Sequence, residues 1–431
     1  MSALATTLAA FTFILVLVRL RVPLAAAIVV GSVTLGLALG LDAAALAGAC
    51  VRGAVAPLSV GVIITVVLLL AISEAMRESG QTAGIVTGAR ALLRRPAVAM
   101  AALPALIGLL PMPGGALFSA PMVASAAGNG RAEGPFLSAV NYWFRHVWEY
   151  WWPLYPGVIL AASLTHLEPA AFALQQAPLT VFMAAAGIVL FRGSHPELHR
   201  KAGPPEPGTA RRLLRATSTI WVILVLWLAV RTLVAAAAPA LPESPSTDTV
   251  QRFLPIALAL LGSLSWTVFL GRLAPRTVLR ILTRPSMLSM VALVVAVMVF
   301  QSVLTAADAA PRIAAEMRAH HLPVLAVVVL LPAIAGVITG VAFGFVGTSF
   351  PIVLPLLAAT PGTGGLRPWI VLAYACGHFG MMLSPVHLCY VVSNRYFGTP
   401  FGPVYRHIAP AAGLTLAAAG GYVALLFLLG G

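Results

Sequence analysis

The chain has 431 residues, 60% of them hydrophobic and only 9% charged, with a mean hydropathy of +0.98. Soluble domains carry about 25% charged residues, so this composition excludes a soluble protein and describes a polytopic membrane protein. The net charge of +14 does not indicate nucleic acid, because the basic residues lie in short loops between apolar runs, where they orient a chain in the bilayer.

A span needs roughly 20 apolar residues, and the first three are expected at 3–20, 23–40 and 57–76. No Lys or Arg precedes the first run, and Arg19 and Arg21 follow it. That is the charge order of a retained span with its N-terminus outside, not of a cleaved signal peptide. At 97–128 an apolar stretch is broken in its middle by Pro111, Pro113, Gly114 and Gly115. Prolines remove backbone donors and paired glycines favour a turn, so a re-entrant hairpin is expected. Spans at 135–163 and 169–191 follow, then a polar linker at 192–216. The second half has spans at 217–238, 251–271 and 286–305, a second hairpin at 321–358, and spans at 366–393 and 407–429.

The halves 1–191 and 217–431 match in detail. Leu103-Pro104-Ala105 with Gly108 recurs as Leu331-Pro332-Ala333 with Gly336, an offset of 228. His146 and Pro153 recur as His378 and Pro385, an offset of 232. Five spans per half is an odd number, so non-crossing hairpins make the second repeat inverted. With re-entrant hairpins, nineteen basic residues fall on one face and six on the other, with Arg145 inside the bilayer. With crossing hairpins the same residues divide twelve to thirteen. The positive-inside rule selects the re-entrant arrangement, with basic loops cytoplasmic and both termini outside. Arg272, Arg276, Arg280 and Arg284 recur every four residues, which reads as an interfacial helix whose arginines snorkel to headgroups. The fold class is therefore all-α, with two inverted repeats of five transmembrane helices plus one re-entrant hairpin.

Hairpins that stop at mid-membrane expose helix ends. Freed N–H groups suit an anion, and freed carbonyls suit Na⁺. The candidates are Pro113, Gly114, Gly115 and Ser119 in the first hairpin and Gly344, Gly347, Thr348 and Ser349 in the second. Arg145 and Glu149, four apart, are expected to share one helix face, with Arg145 available to a substrate carboxylate and Glu149 to a proton. The neighbouring tryptophans read as packing or interface residues. His146, His378 and His387 are candidates for coupling. Gly377, Gly380 and Pro385 predict a break in the last-but-one span, which makes Ser384 a further binding candidate. Cys50, Cys376 and Cys389 have no metal-ligand spacing, so neither a disulfide framework nor a metal site is expected. No cluster of acids, histidines or a nucleophile at a bilayer face marks an enzyme.

The runs PMPGGALFSAP (111–121), NYWFRHVWEYWWPLYPG (141–157) and LSPVHLCYVV (383–392) resemble the ten-span family filed as domain of unknown function 401. That family is placed in the ion transporter superfamily, beside citrate, dicarboxylate, arsenite and Na⁺/H⁺ transporters. The resemblance covers nearly the whole chain. It implies an inverted-repeat fold in the cytoplasmic (inner) membrane, a homodimer, and an elevator-like motion of the hairpin domain. A Ser-Asn-Thr signature of the kind Na⁺/dicarboxylate relatives carry at hairpin tips is absent, with Ser119 and Gly347-Thr348-Ser349 as partial analogues. The expected function is secondary active transport of a small, carboxylate-like organic anion coupled to H⁺ or Na⁺. A cation/proton antiporter using Glu149 is the alternative, and a membrane-embedded enzyme stands behind both.

Overall fold

The computed structural model describes residues 2–93, 95–109, 115–128, 133–191, 208–237, 244–360 and 365–430. The first half contains α1 (Ala3–Arg19), α2 (Leu24–Ala38), α3 (Ala43–Val55), α4 (Pro57–Glu78) and α5 (Gln81–Leu92). It continues with α6 (Pro96–Gly108), α7 (Ala116–Ala127), α8 (Gly134–Arg145), α9 (Pro156–Leu164) and α10 (Pro169–Ile188). After the short α11 (Thr209–Ala216) come α12 (Ser218–Ala237), α13 (Pro245–Leu270), α14 (Pro275–Leu282), α15 (Pro285–Ala306) and α16 (Ala309–Ala319). The last five are α17 (Val324–Thr339), α18 (Ala342–Ala359), α19 (Leu366–Met382), α20 (Leu388–Tyr396) and α21 (Phe401–Leu428). No strand occurs among the described residues.

Proline sets many of the starts. Pro57, Pro96, Pro156, Pro169, Pro275 and Pro285 stand in the first turns of their helices, where the missing N–H costs nothing and φ is already helical. Among the described residues seven helices are long and apolar enough to cross a membrane: α4, α10, α12, α13, α15, α18 and α21. α1, α2, α3, α6, α7 and α17 are apolar but shorter. The continuous spans expected at 135–163 and 366–393 are each two helices, α8 with α9 and α19 with α20. The second of these breaks follows the glycines and proline at 377–385; the first was not expected.

The neighbours of each helix repeat between the halves. α1 packs on α2 as α12 packs on α13, and α4 packs on α13 as α15 packs on α2. α6 packs on α7 and α8, and α17 on α18 and α19. α7 lies on α20 and α18 on α9, so each hairpin reaches the broken helix of the other half. The result is an outer group around α2, α4, α13 and α15 and an inner group of hairpins and broken helices. The inner group holds the most buried large side chains, among them Trp143, Arg145, Tyr142, Tyr374 and Tyr390. α12 buries only Thr219 and Ile223, and Trp221, Val225, Leu228 and Leu233 face outward.

The arginine stripe differs from the expectation of headgroup snorkelling. α14 covers only Pro275–Leu282, and Arg272 has a left-handed φ of 48° before it. Arg284 pairs with Glu74 and Glu78 at the end of α4, and Arg280 with Glu78. Two of the four arginines thus join the halves. α5 and α16 are the connectors into the hairpins, and they are held differently. On α16, the Glu316 carboxylate accepts from the backbone N–H of Ala3 (2.6 Å) and Leu4 (2.8 Å), capping α1. Burial alone would raise the Glu316 carboxyl, but these N–H groups outweigh it and hold it below the usual range. α5 instead packs on α11, with Leu213 seated on Gly88.

Candidate functional site

A helix end packed inside protein leaves carbonyls that water cannot reach, and each needs a protein donor. α6 ends at Gly108, and the segment between α8 and α9 supplies those donors. Trp148 Nε1 donates to Ala105 O (2.8 Å), Arg145 Nη1 to Ile107 O (3.4 Å) and Trp152 Nε1 to Leu109 O (3.1 Å). The Tyr155 hydroxyl donates to Gly108 O. This explains why so apolar a segment abandons the helix: residues 146–155 wrap the end of α6 and present N–H and O–H groups to it. Trp148 and Trp152 act here as donors to the end of α6. The expectation that a continuous helix sets Arg145 and Glu149 on one face is also corrected. α8 stops at Arg145, and Glu149 lies in the turn beyond it, 3.9 Å from His146 Nε2.

The second hairpin ends more tightly. Gly340 takes a left-handed φ of 63°, which glycine allows without strain, and its N–H returns to Gly336 O (2.9 Å). The tip then rests on the break between α19 and α20, where Ser384 Oγ donates to Val337 O (2.6 Å). This contact and the Trp152–Leu109 bond differ by the sequence offsets, 232 for the donor and 228 for the acceptor. Gly108 packs against Arg145 O, and Gly336 against Gly377 O, at the same offsets, so closely that a Cβ on either glycine would strike the carbonyl. Across the centre, Tyr142 OH lies 3.4 Å from Met381 O and Tyr374 OH donates to Glu149 O (2.8 Å). Both partners of that pair are 232 apart, so residue and partner exchange roles.

Between the two breaks lies a cavity of about 180 Å³. Its polar wall is Arg145, His146, Glu149, Tyr155, His387 and Cys389, and its backbone wall is Pro156–Gly157 and Val341–Phe343. The starts of α9, α18 and α20 therefore converge on it, each with N–H groups that carry partial positive charge. Arg145 is 2% and Glu149 9% exposed. The rings of His146 and His387 are 4.7 Å apart. His146 Nδ1 is 2.6 Å from Tyr142 O, and His387 Nδ1 is 3.3 Å from Met381 O and 3.1 Å from the Tyr142 hydroxyl.

Of the residues singled out in the sequence, Arg145, His146, Glu149 and His387 meet at this cavity. Gly115 lies directly against the Arg145 guanidinium. Ser119 stands behind, donating to Asn141 Oδ1 (2.6 Å), and Asn141 Nδ2 donates to Ser393 Oγ (2.8 Å). Thr348 and Ser349 bond back to Gly344 O and Phe345 O of their own helix, and Gly347 packs on Val297. Ser384 is engaged with the hairpin tip, and His378 stacks on Tyr150 with ring centroids 4.0 Å apart. Pro113 and Gly114 lie outside the described residues. Tyr155 and Cys389 were not foreseen. Tyr155 could have been found through Pro156, which marks a helix start inside an apparent span.

The chain matches the family described as "Protein of unknown function (DUF401)" over residues 2–204 and 250–428, and it belongs to that family. No curated protein matches it. Among solved structures it is similar to MtrF of Neisseria gonorrhoeae, described with a class of antimetabolite efflux pumps. The identity is 14% over 86% of this chain and 82% of that one, with a TM-score of 0.47.

Proposed function

We propose that this member of the DUF401 family is a secondary active transporter of a small organic anion, which binds in the cavity between the two helix breaks. The observation that carries the reading is the pairing of a buried arginine with three convergent helix starts around one cavity. A carboxylate there receives hydrogen bonds from Arg145 and from backbone N–H groups, the arrangement that discontinuous helices offer to anionic substrates. A volume of about 180 Å³ suits a molecule smaller than the drug-sized ligands that fill about 300–1,000 Å³.

The matched contacts at offsets of 228 and 232 support two inverted repeats. In that topology the ten spans are α1, α2, α4, α8 with α9, α10, α12, α13, α15, α19 with α20, and α21, and α6–α7 and α17–α18 are re-entrant hairpins. The inner group moves against the outer group to give alternating access. The exposed face of α12 is assigned to lipid or to a second copy in a homodimer. H⁺ or Na⁺ is the coupling ion, with His146, Glu149 and His387 at hand in the cavity wall. Glu149 is the only acid lining the cavity among the described residues, which favours a cation/proton antiporter as the second reading.

The test is uptake of labelled small carboxylates into proteoliposomes under an imposed ΔpH or Na⁺ gradient, with proton flux followed in parallel. Gradient-driven uptake is expected. Arg145→Ala is expected to reduce it by about thirty-fold or more, the equivalent of roughly 2 kcal/mol for truncating one partner of a buried charge pair. Cation-dependent proton flux with no requirement for an anion replaces this reading with the antiporter.

A further inference from the structure

The cavity wall also carries three donors that anion binding does not use. His146, His387 and Cys389 are buried, and one ligand atom from each, a ring nitrogen of either histidine and the Cys389 Sγ, all lie within 4.8 Å of one another. We propose that they form a binding site for a thiophilic divalent cation, with zinc as the metal the donor set fits best.

Three observations support the site independently of transport. The first is the orientation of the rings. Each Nδ1 faces a backbone carbonyl, Tyr142 O for His146 and Met381 O for His387. A carbonyl can only accept, so a proton on Nδ1 donates to it. Beside His387 the Tyr142 hydroxyl donates to Met382 O (3.2 Å) and can accept from the same Nδ1 (3.1 Å), which leaves each Nε2 its lone pair. Metal-ligating histidines are fixed in this way, by a hydrogen bond from the second ring nitrogen. The second is distance. A point central to three atoms no more than 4.8 Å apart is within about 2.8 Å of each, and Zn–N and Zn–S bonds are about 2.0–2.3 Å. Each donor needs to close by well under an ångström.

The third is charge and coordination number. Glu149 Oε1 is 3.9 Å from His146 Nε2, near enough to serve as a fourth ligand or to leave that position to water. Binding displaces the Cys389 thiol proton to solvent, forming one metal–sulfur bond. A dication and Arg145, set against the thiolate and an ionised Glu149, leave one positive charge on the wall, a balance compatible with an anion alongside. Two imidazoles and one thiolate favour zinc over Mg²⁺ or Ca²⁺, which take oxygen ligands. No local spacing announces the site, because His146 comes from the first half of the chain and His387 and Cys389 from the second.

The experiment uses the full chain, purified in detergent, stripped with chelator and titrated with Co²⁺. To leave one thiol, Cys50 and Cys376, which do not line this cavity, are replaced by serine. One equivalent of Co²⁺ is expected to give tetrahedral d–d bands and a sulfur-to-cobalt charge-transfer band, and Zn²⁺ is expected to displace it. Cys389→Ser should abolish the charge-transfer band, and His387→Gln should weaken binding by more than about tenfold, as loss of a ligand costs at least as much as loss of its outer partner. X-ray absorption on the zinc-loaded unmodified chain needs no variant at the site and should show one sulfur among nitrogen and oxygen neighbours. Absence of the charge-transfer band, its persistence in Cys389→Ser, or a zinc shell without sulfur overturns the proposal. None of these readouts depends on anion uptake, so the site and the transport reading fail separately.

Discussion

The two helix breaks occupy equivalent places in the halves, yet they are built differently. The first, 146–155, is ten residues long and brings two tryptophans and a tyrosine to the end of α6, beside Arg145 from the last turn of α8. The second, 383–387, is five residues long and brings one serine to the end of α17. The difference follows from the hairpins they serve. α17 turns into α18 through Gly340 and Val341, and the left-handed glycine ties its own N–H back to Gly336 O. α6 and α7 are separated by residues 109–115, and the end of α6 takes its hydrogen bonds from another segment. The aromatic motif of the first half is the counterpart of one glycine in the second.

Four perturbations test this contrast. The largest effect is expected where the halves are alike. Gly108→Ala and Gly336→Ala each push a methyl against a backbone carbonyl, which only separation of the helices relieves. Each should cost about 3 kcal/mol or more, read as loss of monodisperse protein or a large fall in Tm. Next come the borrowed donors. Tyr155→Phe and Trp152→Phe each leave a buried carbonyl unpaired, at about 1–3 kcal/mol apiece. Ser384→Ala removes one bond to the hairpin tip and the bond from the Val386 N–H within the break, and the Gly340 turn remains. Amide exchange should therefore accelerate around 105–109 in the first pair and much less around 336–340 in the last. Equal acceleration in both would remove the distinction.

Smaller, and a test of symmetry, is the exchange of roles between Tyr142 and Tyr374. Phenylalanine at either position should lower stability by a similar amount, about 1 kcal/mol, with Tyr142→Phe also freeing the His387 ring. The smallest effect is at Glu316. Its folded-state carboxyl lies below the ordinary value of 4.5, so its contribution is present above that value and is lost as pH falls through the folded value. Glu316→Gln should remove that acid-side dependence and lower neutral-pH stability to about the level the unchanged chain shows on the acid side, as thermal melts across pH would show.

Much of this was legible in the sequence. The repeat of Leu-Pro-Ala with Gly, the arginine distribution and the Pro-Gly centre led to a helical membrane protein with two interrupted hairpins. Gly377, Gly380 and Pro385 foretold the second break. The first break was hidden because tryptophan and tyrosine count as apolar in a hydropathy window, while their N–H and O–H groups bond carbonyls more than 40 residues away. Thr348 and Ser349 mislead in the opposite sense. A hydroxyl that bonds its own helix four residues back looks, in sequence, like one that faces a ligand. The meeting of His146 with His387 and Cys389 depends on the packing of one half on the other, which no spacing encodes.

The unequal fastening of α5 and α16 bears on how the inner group can travel. Glu316 pins α16 to the first turn of α1 through two directed hydrogen bonds, so α16 can swivel about that point but not slide along it. α5 lies on α11 through an apolar contact at Leu213 and Gly88, which is packing rather than a directed hydrogen bond. In the proposed alternating access, an inner group held in this unequal way is expected to rotate about the pinned end, with the longer stroke at the hairpin that follows α5.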